Sequence, residues 1–297
     1  MMQGSKPTLQ EIRGYLHSTD VVGLRGAEEV EVVSERNHLI YRVKKGDRIY
    51  ALRMINPDSY RQDEWISIWE EYEILKIIGP AGLGPRVYAY CDDFLLPFVI
   101  QDFVAATSFN ALKPLSEEYL IGAAQAIAKL NSQNITPETV RFLEKYTYHA
   151  YEYAFVRWHY RLLYACWHLK QWDMAKWAVK IMPLLWYASA LLLYSKAAFR
   201  SSFRNFSFHF DGAHCGNVCW SEGRVLFLDW EKVSYRDDYT FTLVRFATSI
   251  DEEKGEISEL MMDSLIDYYL SVCPDTLPHF RELAWARLLE RQFSDLV

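Results

Sequence analysis

The sequence predicts an α+β chain with a strand-rich amino-terminal part and a longer, mainly helical carboxy-terminal part. Two local patterns point there. Residues 29–33, 39–43 and 49–55 are short runs rich in β-branched and aromatic side chains, and Lys44-Lys45-Gly46-Asp47 joins the last two as a hairpin turn. Residues 63–78, and later 116–131, 257–270 and 279–293, set apolar positions at helical spacing. With 297 residues, 51% of them hydrophobic, the chain can bury a large core and is not a disordered segment. One bilobal unit or two domains is the expectation for this length.

Taken in order, residues 1–20 read as a polar tail leading into a short helix, without the charged-then-apolar order of a signal peptide. The three strands follow, with residues 34–38 as the loop between the first two. The run Tyr50-Ala51-Leu52-Arg53-Met54 sets a single cation in an apolar strand. Residues 63–78, DEWISIWEEYEILKII, form an amphipathic helix carrying Glu71, with Glu70 and Glu73 read as part of its solvated face. Gly82-Leu83-Gly84-Pro85 is a turn into a further strand, and residues 96–104 read as another.

In the second part, residues 116–131 have a capping-box start at Ser116-Glu117-Glu118 and an apolar face of Leu120, Ala123, Ile127 and Leu130. Thr136-Pro137-Glu138 is a helix start, with proline in the first turn. The segment 137–200 that follows is dense in aromatics, including Trp158, Trp167, Trp172, Trp177 and Trp186, which are expected mainly to pack helices together. Residues 181–194 are the most apolar stretch but are too short for a bilayer span and contain Pro183, so a buried helix is expected. Residues 257–270 and 279–293 read as amphipathic closing helices. The acidic run Asp251, Glu252, Glu253, Glu256 and Glu259 reads as a solvated helix face.

Charge and cysteine usage narrow the function classes. A net charge of −7 argues against broad electrostatic binding to nucleic acid. The five cysteines, at 91, 166, 215, 219 and 273, make no disulfide framework and suit a reducing cytoplasm. Cys215 and Cys219 lie near His209 and His214, but the spacing is not a paired zinc pattern.

The chemistry concentrates in residues 206–232, FSFHFDGAHCGNVCWSEGRVLFLDWEK. A polar cluster of His209, Asp211, His214 and Asn217 sits in a loop with Gly212 and Gly216, and Asp229 ends the apolar run 225–228. Carboxylates and a carboxamide next to a tight loop suit magnesium, which takes hard oxygen ligands. This stretch resembles the catalytic centre of the aminoglycoside phosphotransferase and choline kinase type of small-molecule kinase, which has the protein-kinase-like fold. The HCGN run, the LDWE run, Leu52-Arg53 and Glu71 carry the resemblance.

The resemblance implies a bilobal protein-kinase-like fold, with residues 1–104 as the nucleotide-binding lobe and 105–297 as the helical lobe with the catalytic loop and acceptor site. It implies that Arg53 and Glu71 set the phosphates of ATP or GTP, and that backbone groups around Asp102 to Val104 hold the base. Asn217 and Asp229 would hold Mg²⁺, and Asp211 would orient the acceptor hydroxyl. In the related kinases the segment equivalent to 137–200 builds the acceptor pocket. Here that segment carries nine Lys or Arg against four acids, which does not favour a polycation.

The catalytic string departs from the family's. Aligned on His214, Gly216 and Asn217, the family's catalytic Asp falls on Gly212. Aligned on His209 and Asp211, one extra residue precedes Asn217, and a flexible Gly212 gives the loop room for it. The loop 34–38 also lacks glycine. Two function classes follow: a cytoplasmic phosphotransferase acting on an aminoglycoside, choline-like or other natural-product hydroxyl, or a pseudokinase that binds nucleotide or a small ligand without transfer. A third is an interaction protein with an aromatic interface. A monomer or homodimer without nucleic-acid or membrane partners is expected.

Overall fold

The structure, a computed structural model, describes residues 6–59, 66–148, 206–250, 259–273 and 279–296, with five single positions between 180 and 190. The chain divides into two compact units, one of residues 1–113 with 216–233, the other of residues 114–215 with 234–297.

The first unit is built on a five-stranded antiparallel sheet. Its strands are β1 (Glu29–Glu35), β2 (His38–Lys45), β3 (Arg48–Ile55), β4 (Val87–Cys91) and β5 (Phe98–Asp102), in the spatial order β1-β2-β3-β5-β4. Strand alternation explains the division of labour between the faces. Tyr50, Leu52 and Met54 pair across with Val43, Tyr41 and Leu39, and this face packs on Ile12 and Leu16 of helix α1 (Leu9–Ser18). Each such fully buried aliphatic side chain contributes ~1.5–3 kcal/mol by leaving water. Arg53 and Ala51 alternate with them on the opposite face. Helix α2 (Ile68–Ile78) buries Ile74, Leu75 and Ile78 and packs against β4 and β5.

The β2–β3 hairpin closes over two residues between Lys45 and Arg48, with Gly46 at φ 59°, where a side chain is disfavoured. A smaller sheet, β10-β9-β6, combines β6 (Thr107–Ser108), β9 (Val218–Ser221) and β10 (Arg224–Phe227). Its two-residue turn has Glu222 at φ 51° and Gly223 at φ 76°, the pattern of a type I′ turn. Phe227 N–H donates to Leu83 C=O at 2.8 Å, and the buried Trp230 indole donates to Phe227 C=O at 2.9 Å. A Cβ at Gly84 would come within 3.2 Å of that indole nitrogen, so glycine lets the turn approach Trp230.

The second unit is mainly helical. Among the described residues its helices are α3 (Glu117–Asn131), α4 (Phe241–Ala247), α5 (Glu259–Val272) and α6 (Phe280–Leu296), beside a sheet β7-β11-β8 of β7 (Thr147–Tyr148), β11 (Val233–Arg236) and β8 (Ser207–Phe210). Helix α3 packs along α5, burying Ile127 and Leu130 with Leu265 and Ile266. At its end the buried Asn131 donates to Tyr239 C=O at 2.8 Å. Among the described residues, no helix is long and apolar enough to cross a membrane.

Several local expectations are corrected. The turn before β2 is formed by Arg36 and Asn37, because Ser34 and Glu35 continue β1 past a bulge and His38 opens β2. Ser116 precedes α3, but its side chain makes no capping bond; the residue at the third helical position is Tyr119, which cannot return one. The capping boxes are Thr8 with Glu11 and Ser67 with Glu70. Glu70 is therefore a buried cap and no solvated residue, its carboxylate accepting from Ser67 N–H at 2.6 Å. Thr136-Pro137-Glu138 leads into a turn and a short 3-10 helix, Arg141–Tyr146, rather than an α-helix. Residues 63–65, the tryptophans at 158, 167, 172 and 177, most of 181–194 and the acids at 251, 252, 253 and 256 lie outside the described residues. Trp186 is described, and it is exposed.

Candidate active site

The first unit gathers a buried charge network at one end of its sheet. Arg53 on β3 is 5% exposed, and its Nε lies 2.9 Å from Oε1 of Glu71 on α2. Its Nη2 donates to Asp229 Oδ1 at 2.5 Å and to His38 Nδ1 at 3.1 Å. Since a guanidinium only donates, Nδ1 must accept, which puts the neutral imidazole's proton on Nε2. Asp229 follows β10 in a left-handed conformation, φ 66°, that turns the chain as it enters the network.

Electrostatics keep Arg53 charged. Burial opposes its charge, but the carboxylates of Glu71 and Asp229 more than offset this and hold its pKa above the usual arginine range. Burial raises Glu71, and Arg53 acts in the opposite direction. Burial, reinforced by the guanidinium beside it, lowers His38 to about 3. Glu231 is pushed up to about 7, chiefly by burial and then by Asp229. Its Oε2 is buried without a hydrogen-bond partner among the described residues.

His38, Arg53, Glu71 and Asp229 border a cavity of about 720 Å³. Ser34 and Asn37 of the β1–β2 hairpin line it, as do Ala51 and the segment Asp102 to Ala106. Asp102 N–H is already used, donating to Arg86 C=O, and its carboxylate accepts from Tyr88 Oη at 2.5 Å. Val104 makes no backbone hydrogen bond among the described residues, leaving its N–H and C=O for a ligand. Asn217 C=O accepts from Leu228 N–H at 2.9 Å, which holds Asn217 alongside the residue preceding Asp229.

The donor set suits Mg²⁺. Asp229 and Asn217 offer hard oxygens, and the orphaned Glu231 oxygen lies in a His38, Asp229, Glu231 cluster whose ligand atoms fall within 4.8 Å of one another.

In the second unit, Asp211 follows β8. Its Oδ1 accepts from Ser234 Oγ at 2.5 Å and its Oδ2 from Arg236 Nη2 at 2.9 Å. His209 does not join it in a polar cleft. It is fully buried, bonded through Nε2 to Ser207 Oγ and through Nδ1 to Thr242 Oγ1, both at 2.8 Å, and burial lowers its pKa to about 3. Gly212 has no positive φ; the loop closes instead through Ala213 N–H to Phe210 C=O and His214 N–H to Gly212 C=O.

The structure thus brings Arg53, Glu71 and Asp229 together in one unit, and sets Asp211 with Ser234 and Arg236 in the other. Sequence reasoning did not single out His38, Glu231, Ser234 or Arg236. For Glu231 the LDWE run was an available signal, whereas nothing local marks the other three.

The fold is the protein-kinase-like fold of small-molecule kinases, with a β-rich part and a helical part. Solved structures similar to it include a Plasmodium vivax ethanolamine kinase, 12% identical with a TM-score of 0.61, covering 89% of this chain and 73% of that one. A choline kinase from Cryptosporidium parvum Iowa II is 11% identical with a TM-score of 0.63, over 96% and 85% of the two chains. The streptomycin-ATP-APH(2")-IIa ternary complex is 14% identical with a TM-score of 0.59, over 94% and 87%. No protein-family description and no curated protein matches the chain by sequence.

Proposed function

We propose that the chain is a phosphotransferase that moves the γ-phosphoryl group of ATP or GTP to a hydroxyl of a small molecule. The observation that carries this reading is the buried Arg53–Glu71 pair abutting Asp229 on the wall of the cavity. A buried guanidinium in an apolar run of β3, fixed from one side by a helix carboxylate, is a preorganised phosphate contact that needs no reorganisation when the nucleotide arrives. The kinase relatives in fold support the same reading.

In this mechanism Val104 presents its free backbone groups to the base, and Arg53 donates to the phosphate oxygens. Asp229, Asn217 and Glu231 would hold Mg²⁺, which when bound neutralises phosphate charge. Asp211 accepts the proton of the acceptor hydroxyl as its oxygen bonds to the γ-phosphorus and the bond to the nucleoside diphosphate breaks. Residues that are oriented beforehand supply most of the effect, since the transfer asks for little covalent chemistry.

A second reading, a binding module without transfer, is favoured by two specific observations. Asp229 Oδ1 is engaged by Arg53 at 2.5 Å, and the β1–β2 turn of Arg36 and Asn37 has no glycine to approach phosphates closely. The first test is thermal stability with and without Mg²⁺-ATP and Mg²⁺-GTP, with slow nucleotide hydrolysis read in the same samples, because a ligand of the folded state raises its stability. A Mg²⁺-dependent shift with hydrolysis is expected. In Asp229→Ala the shift should vanish, and in Asp211→Asn it should persist while hydrolysis is lost. Turnover retained in Asp211→Asn would remove Asp211 from the mechanism, and a shift without hydrolysis in the native chain would favour the binding module.

A further inference from the structure

Arg236, the last residue of β11, is tied down with unusual completeness. Its Nε donates to Ser234 Oγ at 2.7 Å and its Nη2 to Asp211 Oδ2 at 2.9 Å, while Ser234 Oγ donates to Asp211 Oδ1. Its guanidinium carbon lies 3.8 Å from the ring centroid of Phe241 and 4.6 Å from that of Tyr148, close enough for strong cation–π attraction to both. The side chain is 13% exposed, and Nη1 has no partner among the described residues.

The chemistry of cation recognition needs open aromatic faces and carboxylates free to pair. Among the described residues around Asp211, the two rings that hold Arg236 and the Asp211 carboxylate are already committed. Phe241 and Tyr148 hold the protein's own cation, each Asp211 oxygen accepts a hydrogen bond, and a second positive charge would be repelled by a guanidinium held in a partly dry site. What this place offers instead is Nη1, a fixed donor beside Asp211. We infer that the acceptor is an uncharged or anionic, oxygen-bearing hydroxyl compound of the polyol, sugar or hydroxy-acid class, and not a quaternary ammonium or polyamine. This rests on the phosphotransferase reading, with Asp211 at the acceptor hydroxyl. Arg236 would then be a specificity-determining residue, its Nη1 donating to an acceptor oxygen next to the hydroxyl that Asp211 orients.

The test uses the full chain and two probe panels, glycerate, sorbitol and glucose against choline, ethanolamine and gentamicin. Thermal shifts are read first without nucleotide, so that they decide the acceptor class whatever the nucleotide result. A member of the first panel should raise the unfolding midpoint and, with Mg²⁺-ATP, release nucleoside diphosphate faster than water does. Arg236→Met should weaken that binding by about tenfold or more, the loss expected for one charge-assisted hydrogen bond, and should let choline bind the vacated rings. Stabilisation by the cations, or by neither panel, overturns the inference even if Arg236→Met fails to fold. Absence of any Mg²⁺-nucleotide shift or hydrolysis would instead overturn the phosphotransferase reading, a separate result.

Discussion

Arg53 shows what one residue does to its surroundings. Within the protein it neutralises Glu71 and Asp229, which are 18 and 176 positions away in sequence. Removing it leaves the buried Glu71 carboxylate without its cation beside the partly exposed Asp229. Arg53→Met should therefore destabilise the chain by about 3–5 kcal/mol, as expected when one partner of a buried ion pair is lost. The midpoint of urea unfolding checks this, and a change below about 1 kcal/mol, the range of exposed pairs, would mean that water reaches the network. Arg53→Met combined with Glu71→Leu should recover part of the loss, because an apolar pair of similar volume needs no compensation. Arg53 was legible in the sequence because it is a cation among apolar strand residues, and Glu71 because it falls where the resemblance to small-molecule kinases places a helix acid. His38 and Arg236 were not. Their significance comes from partners brought close by the fold, such as Asp211, 25 positions before Arg236.

At the scale of elements, helix starts separate what a local motif says from what the chain does. Ser67 and Ser116 precede α2 and α3 with similar backbone angles, ψ 162° in both. Only Ser67 accepts a hydrogen bond from the third helical N–H, and only there does a Glu at that position return one to the cap. Ser67→Ala should cost about 1 kcal/mol, whereas Ser116→Ala should stay within about 0.5 kcal/mol. Equal losses in thermal unfolding would show that the capping geometry contributes little. The strands and their hairpin turn could be read in advance because alternation and Gly46 act within a few residues. The capping box at Ser116 was misread because two glutamates in the first turn look like one, although neither stands at the third helical position. The run after Thr136 was misread for a related reason. Thr136 Oγ1 does accept from Thr139 N–H at 3.3 Å, as a helix cap would, but the chain tightens into 3-10 geometry beyond it.

At the scale of the whole molecule, the histidines buried in each unit link stability to pH. His209 in one unit and His38 in the other are both held neutral, each with its pKa lowered to about 3, first by burial. In the unfolded chain each titrates near its ordinary value of about 6.5. Above that pH neither state binds the proton, and the stability of the folded chain is complete with respect to these groups. Between about 6.5 and about 3 the unfolded chain takes up a proton that the folded chain refuses, so stability falls as the pH falls, by about 1.4 kcal/mol per pH unit for each histidine. Asp238, whose pKa is lowered by the nearby Arg287 and Thr240 against the opposing effect of burial, adds loss in the same direction at still lower pH. His209→Gln removes one of these protons while keeping a side chain able to bond Ser207 and Thr242. The variant should be less stable than the native chain at pH 7.5, through imperfect replacement of two buried hydrogen bonds, and should lose stability less steeply from pH 6.5 to 4.5. Unfolding free energies measured across that range give the slopes directly. If the native and variant slopes are the same, His209 already carries its proton in the folded state, and the neutral, doubly bonded imidazole at the base of the Asp211 loop is wrong.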